Sequence, residues 1–140
     1  MLYHKDRSQL ELPTNLTRHG DKKYSFLKNS IYHLIRITIL PKLPVNIFKK
    51  YFSHDNGRKT KDIQSMIGLF IMQAIFDMTN NQAIEAYNFY QWFHYALDLK
   101  ERETYLAPRT CYYYKEKILG KGQTVFNAVL KRIDELINID

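Results

Sequence analysis

Between Thr60 and Asp77, apolar side chains run around almost the whole circumference of a helix. Ile63, Met66, Ile67, Phe70, Ile71, Ala74 and Ile75 recur at the helical spacing of three and four residues. A helix that is apolar nearly all round cannot lie on a surface, so it must be enclosed by other elements. Gly68 in its middle costs about 1 kcal/mol relative to Ala and is explained if another helix approaches closely there. The longest apolar run, Met66 to Ile75, is interrupted by Gln73 and too short to cross a bilayer. The chain must therefore supply the covering elements around a central helix.

The rest of the sequence offers helices for that purpose. Gly and Pro number only 5 and 4 in 140 residues, against 11 Tyr and 8 Phe, which favours helices over a turn-rich β fold. A helix is expected from near Tyr24, with Leu27, Ile31, Leu34 and Ile35 on one face and Pro41 and Pro44 ending it. Pro44 suits the first turn of a short second helix whose apolar face is Val45, Phe48 and Phe52. Asn56-Gly57 marks a turn before the central helix. Thr79-Asn80-Asn81-Gln82 reads as a capping box opening a helix to about Tyr90, and Gln91 to Leu97 follows as a further short helix or bent extension.

Asp98 to Leu106 reads as a charged loop, and Pro108 opens a helix that Gly120 and Gly122 should stop. Thr124 is expected to cap a last helix with Val125, Val129, Ile133, Leu136 and Ile137 on its apolar face. No alternating pattern requires a sheet. The expected fold is all-α: a compact bundle of about six to seven short helices, with residues 1–23 a polar lead-in and residues 24–140 the helical domain.

Charge is distributed unevenly. Residues 1–61 hold 13 Lys/Arg against 4 Asp/Glu, residues 62–99 hold four acids and no Lys or Arg, and residues 100–140 hold 8 basic and 6 acidic side chains. A basic flank beside a neutral-to-acidic centre points to a polyanion partner. Cys111 is the one cysteine, so no intrachain disulfide forms, which fits a reducing cytoplasm. The polar segment Met1 to Glu11 does not resemble a signal peptide.

Several local patterns occur in a set order. Gly57-Arg58 opens the buried helix and Asp62 stands four residues after Arg58. An amphipathic helix with Glu85 follows, then Trp92-Phe93-His94-Tyr95-Ala96-Leu97, then the run from Pro108 to Leu119. Over about 24–119 this order resembles the N-terminal helical domain of DDE-type transposases of bacterial insertion sequences. Those domains carry Gly-Arg-Pro, an Asp and an apolar helix, a Trp/Tyr-rich segment, and a Thr-Leu-x-x-Phe-Arg-x-Arg-Leu helix. Here the last motif is Thr110, Cys111, Tyr114, Lys115, Lys117 and Ile118. Lys59 stands where the family has Pro. Lys115 and Lys117 stand where it has Arg, and they lack the planar guanidinium fork.

The resemblance implies a bacterial, cytoplasmic protein acting in DNA transposition. Its partners would be the double-stranded ends of an element and a second copy in a homodimer, with no membrane involved. It also implies that the catalytic RNase H-like domain, with its three carboxylates and two divalent metals, is absent from these residues, so the chain is not by itself an enzyme and carries no cofactor. Asp62, Asp77, Glu85 and Asp98 are read as helix caps or solvated charges, and no catalytic or metal-binding residue is assigned. His94, beside Trp92, reads as a packed histidine.

Two clusters are candidates for binding DNA phosphates: Lys49, Lys50, Arg58, Lys59 and Lys61, and Arg109, Thr110, Tyr113, Lys115, Lys117 and Lys121. Arg109, Tyr113 and Lys117 fall on one helical stripe, and the helices flanking Gly120-Lys121-Gly122 are a candidate helix-turn-helix-like pair. Tyr114 is expected in the core. Two other readings remain open, a helical dimerisation module and a small stand-alone nucleic-acid-binding regulator.

Overall fold

The computed structural model describes residues 3–5, 30–52 and 61–137. Apart from residues 3–5, the polar lead-in lies outside the described residues, as do the expected helix start at Tyr24 and the Asn56-Gly57 turn. Among the described residues every regular element is helical, as the periodicity requires, and no helix is long and apolar enough to cross a membrane.

Seven α-helices are described: α1 (Ile31–Leu34), α2 (Val45–Lys49), α3 (Ile63–Ile75), α4 (Asn80–Phe89), α5 (Gln91–Ala96), α6 (Pro108–Lys115) and α7 (Gln123–Ile137). Helix α3 is the centre, and every residue from Ile63 through Met72 is buried. It packs against α2, the Leu40–Lys42 turn, α4 and α6. It begins at Ile63 rather than Thr60 because Asp62 caps it, with Oδ2 accepting from the Ser65 amide at 3.0 Å and the Ser65 hydroxyl at 2.7 Å. Gly68 faces the close approach expected of it. A Cβ there would lie 2.7 Å from Leu97 Cδ2 and 3.1 Å from Leu40 Cδ1.

Two breaker signals act differently from expectation. Pro41 does not end the first helix. The chain widens into a π-turn at Ile35–Ile39, tightens into a 3-10 turn at Leu40–Lys42, and leaves the helix at Leu43, which is extended at ψ 139° before Pro44. The wide turn absorbs the register change around the missing proline N–H. Gly120 likewise fails to stop α6, which continues as a π-turn over Glu116–Lys121 until Gly122. Only Gly122 separates that turn from α7, so the connection is shorter than the three to four residues usual in a helix-turn-helix.

The capping box at Thr79 is formed: the Gln82 amide donates to Thr79 Oγ1 at 3.1 Å, and Gln82 Oε1 accepts from the Thr79 amide at 2.8 Å. Tyr90 alone interrupts α4 and α5. The 98–106 segment contains one 3-10 turn, Glu101–Glu103, and buries Leu99 and Leu106. Among the described side chains of α7, Phe126 and Ile133 are buried and Val125 and Val129 are half-buried, while the expected Leu136 and Ile137 lie outside the described side chains. Helix α7 starts one residue before Thr124, which is exposed.

Helices α3 and α5 end alike. Asp77 and Asp98 both adopt left-handed backbone, with φ of 51° and 55°. The Met78 amide donates to Gln73 O at 2.9 Å and the Leu99 amide to His94 O at 2.8 Å, the six-to-one bond of a Schellman ending. Aspartate tolerates this conformation better than most side chains.

Candidate nucleic-acid interface

The C-terminal end of α2 and the π-turn after α6 are far apart in sequence and adjacent in space. Their seam is aromatic. A Cβ on Gly122 would lie 2.8 Å from Phe48 Cε1, so the ring rests on the glycine backbone. The Phe52 ring sits 5.3 Å from Tyr114 and 6.1 Å from Tyr113. Tyr114 is core, and its hydroxyl donates to Lys61 O at 2.8 Å. Phe48 and Phe52 are buried because the helical spacing of α2 and the Lys50–Phe52 turn puts both toward α3 and α6.

This seam brings Lys49 and Lys50 of the first cluster beside the segment that carries part of the second. On one side Lys50 is exposed, with Nζ 5.2 Å from the Tyr51 ring centroid, and Lys49 is half-buried. On the other side Arg109 and Lys121 are exposed, Thr110 and Tyr113 are half-buried, and Lys117 Nζ lies 5.7 Å from the Tyr113 ring. Tyr113 thus meets Lys117 on its own segment and Phe52 across the seam. Residues 30–52 contain no acidic side chain, and Glu116 is the one acid between Pro108 and Gly122.

Two candidate lysines are engaged within the protein. Lys115 Nζ donates to Gln73 Oε1 at 3.1 Å and to Asn80 Oδ1, and lies 5.7 Å from the Phe70 ring. Lys61 Nζ lies 5.8 Å from both the Tyr87 and Tyr105 rings. Burial lowers the pKa of both ammoniums, opposed at Lys61 by the charge of Glu103. Arg58 and Lys59 lie outside the described residues.

The acids divide. Asp62 is a cap, and Asp77 and Glu85 are exposed. Asp98 is not a solvated charge, because beside ending α5 it is buried against Arg36 at 3.0 Å. Lys5 adds to this group, with Nζ 3.7 Å from Asp98 Oδ2 and 2.9 Å from Glu103 Oε1. Sequence reasoning missed this network because its members lie on three distant segments, and a lone Arg in an apolar helix gave the only available signal.

His94 is half-buried and its Nε2 donates to Tyr87 O at 2.7 Å, while burial lowers its pKa. Cys111 is buried, and desolvation raises its thiol pKa against the opposing charge of Lys115. Among the described residues no three His, Cys, Asp or Glu side chains are grouped to hold a metal ion. No family model, curated protein or solved structure matches the chain.

Proposed function

We propose that the chain binds double-stranded DNA, as the N-terminal DNA-binding part of an insertion-sequence transposase. The observation that carries this reading is the Phe48–Gly122 seam, which brings Lys49 and Lys50 beside the segment bearing Tyr113, Lys117 and Lys121. Flexible cations set among aromatic rings, with little opposing charge, suit a phosphate backbone: each neutralised phosphate releases counterions and adds affinity. The amines of Lys50 and Lys117 lie 5.2 and 5.7 Å from the Tyr51 and Tyr113 rings, within cation–π range. The ordered motifs from Gly57 to Ile118 support the transposase assignment. In this reading the chain recognises element ends, and strand cleavage belongs to an RNase H-like domain with divalent metals elsewhere in such an enzyme.

The test is a mobility shift on duplexes carrying the ends of the parent element and on random duplex, at graded salt. Lys50→Glu with Lys121→Glu should weaken both complexes and lower the salt slope by about 0.9 for each lost phosphate contact. An unchanged slope removes this face from the interface, and equal affinity for element ends and random DNA removes the specific role.

A further inference from the structure

Helices α4 and α6 run antiparallel, and hydrogen bonds at both ends fix their register. At one end Asn88 Nδ2 donates to Leu106 O at 3.0 Å and the Leu106 amide donates to Asn88 Oδ1 at 3.1 Å. At the other end Lys115 Nζ donates to Asn80 Oδ1. In this register Glu85 stands level with Arg109, Phe89 with Tyr105 and Gln82 with Tyr112.

The outer side of this pair is open to solvent. Gln82, Glu85 and Phe89 recur at three and four residues on the exposed side of α4, and the exposed Arg109 and Tyr112 stand three apart on α6. Ile84 and Tyr87 of α4 and Cys111 and Tyr114 of α6 face the core instead. Phe89 is 78% exposed, Tyr105 just before α6 is 69% exposed and Tyr112 is 46% exposed. One exposed apolar side chain is ordinary, but three aromatic rings on one helix pair are the material of an interface.

The charges of this face are complementary to themselves. Glu85 and Arg109 are both exposed, and neither is ion-paired with another described residue. A twofold axis parallel to the groove between α4 and α6 exchanges the two sides of the groove and keeps the level. It therefore lays α4 of each copy over α6 of the other. Each Glu85 then faces Arg109 of the second copy, and each Phe89 faces its Tyr105. The geometry points to the outer α4–α6 face as the contact between two copies of this chain in a twofold dimer, joined by reciprocal Glu85–Arg109 ion pairs and Phe89–Tyr105 ring contacts. The dimer contact does not rest on the DNA-binding reading, and it assigns Arg109 to the second copy rather than to a phosphate.

Sedimentation equilibrium of the whole chain over about 1–100 μM, without DNA, tests the contact. A monomer–dimer equilibrium should fall in this range. Phe89→Ser should raise the dimer dissociation constant about tenfold. Glu85→Arg and Arg109→Glu should each raise it by at least about tenfold, because like charges then meet at both symmetry-related positions. An equal mixture of those two variants should dimerise again at concentrations where each alone is monomeric, since every contact between the two chains once more joins opposite charges. An ion pair within one chain would gain nothing from mixing. All three side chains are exposed, so circular dichroism should show each variant folded. A chain that stays monomeric at about 100 μM, a dimer indifferent to Phe89→Ser, or charge reversals that mixing does not rescue overturns the proposal. Duplex binding enters none of these readouts, so failure of the DNA-binding reading leaves them unaffected.

Discussion

Arg36 Nη2 lies 3.0 Å from Asp98 Oδ1, and both side chains are buried. The same guanidinium donates through Nη1 to Tyr95 O at 2.7 Å and sits 4.8 Å from the Tyr95 ring centroid. One cation therefore ties the π-turn after α1 to the C-terminal end of α5, and Lys5 reaches the same carboxylate from the N-terminal segment. Asp98 also occupies the left-handed position that ends α5. Two demands thus meet on one residue, a backbone conformation and a buried negative charge.

Comparison with Asp77 separates those demands, because Asp77 has the same backbone and an exposed side chain. Asp77→Gly should change stability by between zero and about 1 kcal/mol in the stabilising direction, since glycine relieves left-handed strain but loses more entropy on folding. Asp98→Gly should destabilise by about 3–5 kcal/mol, because Arg36 would stay buried without its partner. Asp98→Asn, which keeps the backbone preference, should lie close to Asp98→Gly. Urea unfolding midpoints measure all three, and equal effects at positions 77 and 98 would mean that the ion pair contributes nothing beyond the turn.

His94 carries a pH dependence. Burial lowers its pKa below the ordinary histidine value, outweighing the hydrogen bond to Tyr87 O. The unfolded chain therefore binds the proton more readily than the folded one. The contribution of neutral His94 is complete above the ordinary value and is lost as pH falls from there toward the lowered folded value. The urea midpoint should decline between about pH 7 and pH 5, and His94→Gln, whose amide can still donate to Tyr87 O, should flatten that decline. A slope that His94→Gln leaves intact would assign the dependence to other groups.

What could be read from the sequence was local. The Thr79–Gln82 capping box, the enclosed α3 and the core placement of Tyr114 each follow from spacing within a few residues. The π-turns were not legible, because Pro41 and Gly120 are strong stop signals whose effect depends on whether tertiary packing favours one more wide turn. Asp98 looked like a solvated loop acid because its partner Arg36 is distant in the chain and the left-handed turn leaves no composition signal. The lysines of the candidate interface were visible as charge. Nothing local distinguished Lys117, which lies over Tyr113, from Lys115, which turns inward onto Gln73 and Asn80.

Gly122 links the fold to the proposed DNA face. Its φ of −107° and ψ of 23° are open to any residue, so what requires glycine here is space. A Cβ would lie 2.7 Å from Ile118 O and 2.8 Å from Phe48 Cε1. The first of these is backbone and the second a buried ring, and neither yields as a flexible side-chain end would. Gly122→Ala should destabilise by about 1–3 kcal/mol through this overpacking. Gly120→Ala is the control: its Cβ would meet only Glu116 Cγ, at 3.8 Å, and alanine should stabilise the turn by up to about 1 kcal/mol. On the proposed interface, folded Gly122→Ala should also bind duplex more weakly although every lysine is present, because the Lys49–Lys50 segment and the Lys117–Lys121 turn are forced apart. Wild-type duplex affinity in that variant, measured where circular dichroism shows it folded, would mean that the two segments do not act together on DNA.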